Sequence, residues 1–91
     1  MPNVKVATRL REIYEIPPGA LSINDADTVD SVVAALEDKF PGIKGDLLVD
    51  DGAVRPDVVI YLDGQPIEPT NTSASVTGVG TIRIIQAMAG G

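Results

Sequence analysis

The sequence predicts an α+β fold: a mixed sheet of four to five strands, curled as a roll across one main helix. Three observations predict it. Short runs of alternating or continuous apolar residues, rich in β-branched types, occupy residues 4–7, 21–24, 58–62 and 81–85, each of strand length. A single apolar stripe of helical period, Val29, Val32, Val33, Leu36 and Phe40, lies between the first two runs and the last two. Aromatic residues make up only 3% of the 91 residues while Val, Ile, Leu and Ala are plentiful, so the core is aliphatic and favours a sheet. Strand pairs on either side of one helix close as a roll, and a chain of this length forms one domain that buries somewhat over ~60% of its surface.

The elements follow in order. Val4 and Val6 alternate with Lys5 and Ala7 as a half-buried strand, and residues 9–13 form a polar stretch with two apolar anchors, Leu10 and Ile13. Pro17-Pro18-Gly19 breaks the chain. Leu21 and Ile23 give a second strand that returns antiparallel to the first, as a hairpin with a long connection. The helix opens at Asp27 or Thr28, either of which caps its free amides, with Asp30 in the first turn to complement the dipole. Pro41-Gly42 closes it behind Lys39. A charge at Val33 or Leu36 would be buried without a partner and should unfold the domain.

From residue 43 to 57 the pattern is irregular, with Leu47-Leu48-Val49 as an apolar anchor and Asp51-Gly52 as a turn. Residues 58–62, Val-Val-Ile-Tyr-Leu, are apolar enough to be covered on both faces, which places this strand centrally. Asp63-Gly64 turns the chain, and Gln65-Pro66-Ile67 is a short edge piece because proline cannot donate to a ladder. Gly78-Val79-Gly80 precedes a strand, so it is a turn and not a phosphate cradle. Thr81-Ile82-Arg83-Ile84-Ile85 is the last strand, which divides the chain into a folded body at 1–85 and a flexible tail at 86–91.

Composition closes several routes to function. Thirteen acidic against seven basic residues give a formal charge of −6, which disfavours nucleic acid and anionic membrane surfaces as partners and favours a basic protein surface. The acids are scattered in groups, Asp25, Asp27 and Asp30, then Glu37 and Asp38, then Asp50 and Asp51, each of which reads as solvated surface. With no cysteine and no histidine there is no thiolate nucleophile, Ser-His pair, imidazole base or zinc-thiolate site. Asn24-Asp25-Ala26-Asp27-Thr28 lacks the glycine and distal Glu of a calcium loop, and the Asn71-Thr72-Ser73 sequon is incidental in a chain without a secretory signal. No catalytic or metal-binding residue is assigned. No apolar run nears the ~20 residues of a membrane span, and the protein is expected in the cytoplasm.

What remains is the tail, Gln86-Ala87-Met88-Ala89-Gly90-Gly91, uncharged, slim and launched from a strand. Glycine-glycine at an end is uninformative alone; after a strand with almost no linker it is a presented group. A terminal α-carboxylate, with pKa near 3.3 to 3.7, resists nucleophiles until it is activated, and joining it to AMP supplies the leaving group. Glycine's conformational freedom lets such a tail thread a narrow cleft. Gly91 is therefore the expected reacting residue, with Gly90, Ala89, Met88 and Ala87 presenting it to a partner.

The residues Val4-Lys5-Val6-Ala7-Thr8 with Leu10-Arg11-Glu12-Ile13, Asp27-Thr28-Val29 opening the helix, the 58–64 strand and turn, and the closing Ala89-Gly90-Gly91 together resemble the β-grasp, ubiquitin-like sulfur carriers of the ThiS and MoaD type, over nearly the whole chain. The resemblance implies that Gly91 is adenylated by a ubiquitin-activating-type enzyme using ATP and Mg²⁺, then converted to a thiocarboxylate that supplies a sulfur-accepting synthase. The chain itself would bind no permanent cofactor. It would be a co-substrate and not an enzyme, or at most the small subunit of a molybdopterin-synthase-like complex. Thr77-Gly78-Val79-Gly80-Thr81 stands where the family carries an acidic Asp-Gly-Asp turn, and the tail lacks the prolines of the molybdenum-cofactor branch. The longer segment after the helix and the Ala-Met-Ala-Gly-Gly ending are closer to carriers serving cysteine or related sulfur-metabolite synthesis, with thiamine thiazole the other pathway. Two further readings fit the residues: a protein modifier joined through Gly91 to lysine amines, and a β-grasp interaction module whose tail is idle.

Overall fold

The computed structural model describes residues 2–86. Its elements are β1 (Asn3–Val6), α1 (Thr8–Tyr14), β2 (Leu21–Ser22), α2 (Val29–Lys39), α3 (Ile43–Leu47), β3 (Val58–Leu62), β4 (Gln65–Pro66) and β5 (Thr81–Gln86). The five strands form one mixed sheet in the order β2-β1-β5-β3-β4. β1 and β5 are parallel and every other pair is antiparallel, the α+β roll expected. Alternation along β1 and β5 turns Val4, Val6, Ile82 and Ile84 inward, where they meet Val29, Val32, Val33 and Leu36 of α2 in one aliphatic core. No helix among the described residues is long and apolar enough to cross a membrane.

Thr28, one of the two caps considered, closes the start of α2. Its Oγ1 accepts from the Ser31 amide (3.2 Å) while Ser31 Oγ accepts from the Thr28 amide (2.9 Å), a reciprocal capping box. The next two free amides, Val29 and Asp30, donate to the carbonyls of Ala74 (3.1 Å) and Thr72 (2.9 Å). All the exposed donors of this helix end are thus taken by the chain itself, and the loop holding the Asn71-Thr72-Ser73 sequon is bound in place by that task.

The second strand is shorter than expected, Leu21–Ser22, and the structure departs further from the sequence reading at α1, α3 and β3. The polar stretch at 9–13 is a helix, α1, and only Leu10 of its two expected anchors is buried; Ile13 is 55% exposed. Its inward pair is Leu10 and the half-buried Tyr14, one turn apart, and buried Ile16 follows the left-handed C-cap at Glu15. The irregular segment after α2 contains a second short helix, α3, which buries Ile43 and Leu47. Its first amides are capped from α2, since Gly42 and Lys44 donate to the two oxygens of Glu37 at 2.9 Å each. Glu37 is thereby held below the usual carboxylate range, first by the Gly42 amide and then by that of Lys44.

The third departure is β3. It is neither central nor covered on both faces: β5 takes the centre, and Val59 on the outward face of β3 is 37% exposed. Its Val-Val-Ile run reflects strand propensity on a half-open face, not burial on both sides. Asp63-Gly64 turns β3 into β4 as expected, with φ of 47° and 86°, the two left-handed residues that a tight hairpin needs. The short edge piece is present as β4.

Candidate functional site

β5 ends at the root of the predicted tail. Its ladder with β3 runs from Ile82 opposite Leu62 to Gln86 opposite Val58, so Gln86, expected as the first tail residue, belongs to the strand. Ala87, Met88, Ala89, Gly90 and Gly91 lie outside the described residues. What the structure does place is the surface from which that segment departs, and the strand that carries it is the most firmly held in the sheet, paired with β1 on one side and β3 on the other.

A groove of about 860 Å³ opens beside this root, between α1 and the end of β5. Leu10 and Ile84 border it from the core, Ile13 and Ile85 from the surface, and its rim carries Lys5, Arg9, Arg11 and Arg83. On the outward face of the sheet, Lys5 and Arg83 are register partners on the β1–β5 ladder, and Val59 and Ile85 on the β3–β5 ladder. A second concavity of about 510 Å³ continues from these residues past Tyr61 to Asp63 and Gly64. At the foot of the groove, Asp57 Oδ1 and Gln86 Oε1 are buried without a hydrogen-bond donor among the described residues. That same Asp57 oxygen lies 3.5 Å from Arg55 Nε, an ion pair without hydrogen-bond geometry.

Two side-chain links hold this surface in shape. The Tyr14 hydroxyl donates to Asp46 Oδ2, joining α1 to α3. This bond first, then burial and the charges of Asp46 and Glu37, pushes the phenol up to about 12. Gly42 fits beneath: its φ is 103°, and a Cβ there would stand 3.3 Å from the Tyr14 hydroxyl. On the other flank the Asp63 carboxylate accepts from the amides of Thr81 (2.9 Å) and Gly80 (3.1 Å), tying the β3–β4 turn to the start of β5. Those two bonds, Thr81 foremost, hold Asp63 below its ordinary value.

No set of three His, Cys, Asp or Glu side chains that could hold a metal occurs among the described residues. The arrangement offers a concavity with basic and exposed apolar side chains beside the end of β5. Sequence reasoning did not bring together the cations beside the end of β5, in part because it took residues 9–13 as a polar stretch with two apolar anchors and not as a helix. The Leu10–Tyr14 spacing of four was the available signal. The net charge of −6, from which a basic partner surface was expected, is a sum over the chain; the rim of this groove is locally basic.

The ThiS family model matches residues 4–91. No curated protein matches in sequence. Among solved structures, a chain of the BexX/CysO complex of Amycolatopsis orientalis is 23% identical, with all of both chains covered and a TM-score of 0.83. CysO of Mycobacterium tuberculosis, described as an antigen, is 21% identical over 97% of this chain and 100% of its own, with a TM-score of 0.82. SAMP1 of Haloferax volcanii, a small archaeal modifier protein, is 16% identical over 98% and 97%, with a TM-score of 0.74. At these identities the likenesses establish the fold, the β-grasp roll that the residues resemble.

Proposed function

We propose, on the premise that this chain belongs to the ThiS family, that it is a sulfur carrier whose reacting atom is the terminal carboxyl carbon of Gly91. In this scheme a partner of the ubiquitin-activating type, using ATP and Mg²⁺, joins the carboxylate to the α-phosphorus and releases pyrophosphate. A sulfur nucleophile supplied by the pathway then attacks the acyl carbon, and AMP leaves with the bonding electrons. The resulting thiocarboxylate gives its sulfur to a synthase of cofactor or sulfur-metabolite biosynthesis. The chain contributes presentation only, in keeping with a sequence that has no histidine and no cysteine.

The observation that carries this reading is the register of β5. The strand stays laddered to β3 as far as Gln86, so the five residues that follow in the sequence, fully extended, reach at most ~17 Å. That suffices to enter a partner's active site while the folded body stays outside. The likeness to SAMP1, whose name describes a modifier, favours a second outcome of the same activation: transfer of the Gly91 acyl group to a lysine amine.

Intact-mass measurement after incubation with ATP, a sulfur donor and cell extract tests the proposal. Exchange of one terminal oxygen for sulfur is expected, with none in a Gly91 deletion that melts at the same temperature. Isopeptide-linked Gly91 without a thiocarboxylate would decide for the modifier, and full biological activity of the deletion would leave only an interaction module.

A further inference from the structure

The rim of the groove beside β5 gathers four of the seven basic residues of the chain, Lys5, Arg9, Arg11 and Arg83, and its lining includes only two of the thirteen acids. Both acids are engaged, Asp46 by the Tyr14 hydroxyl and Asp57 facing Arg55. None of the four cations forms an ion pair among the described residues, where Arg55 with Asp57 is the one pair within reach. Lys5 and Arg83 stand side by side on adjacent strands, an arrangement that costs stability because like charges repel across a ladder. The body of the protein is rich in carboxylates that could have relieved it.

Apolar exposure is concentrated at the same place. The large hydrophobic side chains exposed among the described residues are Ile13, Ile85 and Val59, at 55%, 41% and 37%. The first two line the groove, and Val59 is the register partner of Ile85. Gln86 Oε1, which has no hydrogen-bond donor among the described residues, lies at its foot, where an amide of an arriving chain would satisfy it.

We propose that this groove and the adjoining outward face of the sheet form the docking surface for an acidic segment of a partner protein, interspersed with aliphatic or aromatic side chains. Carboxylates of that segment meet Lys5, Arg9, Arg11 and Arg83, its apolar side chains cover Ile13, Ile85 and Val59, and its amides reach the foot of the groove. A folded protein carrying −6 overall repels a polyanion such as nucleic acid at long range, whereas a short acidic segment meets mainly the local positive rim. The assignment of this partner as the protein that takes up the tail rests on the sulfur-carrier reading; the surface itself does not.

The test uses the full chain, labelled with nitrogen-15 and titrated with a blocked twelve-residue peptide of Asp and Glu interleaved with Leu and Phe. Amide shifts are expected at Lys5, Arg9, Ile13, Arg83, Ile85 and Gln86, with affinity falling as salt rises. The double variant Lys5→Glu, Arg83→Glu should bind about ten-fold more weakly or worse, since two exposed attractions become repulsions. Lys39→Glu, on the far end of α2, should bind as the parent does. Should the double reversal fail to fold, Lys5→Gln with Arg83→Gln gives the same ranking at smaller amplitude. Deleting Gly91 should leave peptide binding intact, so that failure of the thiocarboxylate chemistry and failure of the docking surface are read separately.

The proposal is overturned by any of several results. These are no binding of the acidic peptide, shifts mapping outside the groove, equal loss in Lys39→Glu, equal or tighter binding of the matching Lys peptide or of a single-stranded oligonucleotide, or shifts that follow protein concentration alone and so report a second copy of the chain.

Discussion

The bond from Tyr14 to Asp46 links α1, which carries two of the groove's cations, to α3, and its removal is the sharpest test of how the surface is held. A hydrogen bond to a charged acceptor contributes ~1.5–3 kcal/mol when buried. A phenol moved from 10 to about 12 would correspond to ~2.7 kcal/mol by linkage, but Tyr14 is only half-buried, and solvent screening reduces the expected contribution to about 1 kcal/mol. Tyr14→Phe should therefore lower the melting temperature by roughly 4–8 °C, Asp46→Asn should lower it as well, and the double variant should fall short of the sum.

The pH dependence has a definite sign. The folded pKa lies above the unfolded one, so the contribution is complete below pH ~10 and is lost as pH rises through about 12. In a Tyr61→Phe background, ultraviolet absorbance of the remaining tyrosinate should titrate near 12 and fall back toward 10 when Asp46 is also replaced by Asn. Unchanged melting of Tyr14→Phe, or an ordinary phenol titration, would refute the reasoning.

Three further outcomes are expected. Leu36→Ala removes a side chain of 0% exposure from the face of α2 against the sheet, and urea unfolding should show a loss of about 2–5 kcal/mol with an unchanged slope. Thr28→Ala removes the hydroxyl that accepts from the Ser31 amide, while the residue-28 amide can still donate to Ser31 Oγ, and should cost about 1 kcal/mol in the same assay, while Thr28→Ser, which caps as well, should be nearly neutral. Asp63→Asn keeps the turn, since Asn suits a left-handed position before Gly64, but removes the charge that accepts from Thr81 and Gly80. Because the folded pKa of Asp63 is depressed, its contribution is present above the ordinary Asp value near 3.9 and is lost as pH falls through the folded one. The stability gap between parent and variant should therefore close on acidification, and a gap independent of pH would count against the clamp.

Within the chain, legibility followed the range of the interaction. The stripe from Val29 to Leu36, the Thr28 cap, the Asp63-Gly64 turn and the strand runs at 58–62 and, within a residue at their ends, at 4–7 and 81–85 were readable because each is specified by residues within a turn or a pleat of one another. Helix α1 was not, since its seven residues show only one inward pair, and α3 is shorter still.

The sequence by itself determined the fold class, the main helix, the turns, and the absence of histidine and cysteine chemistry. Tertiary structure alone decided that β5 and not β3 holds the centre of the sheet, and that Lys5 and Arg83 lie side by side above a groove that α1 completes. The physical reason is that periodicity reports which face of an element is apolar, whereas strand neighbours and the charges they bring together are fixed by pairing between residues from opposite ends of the chain.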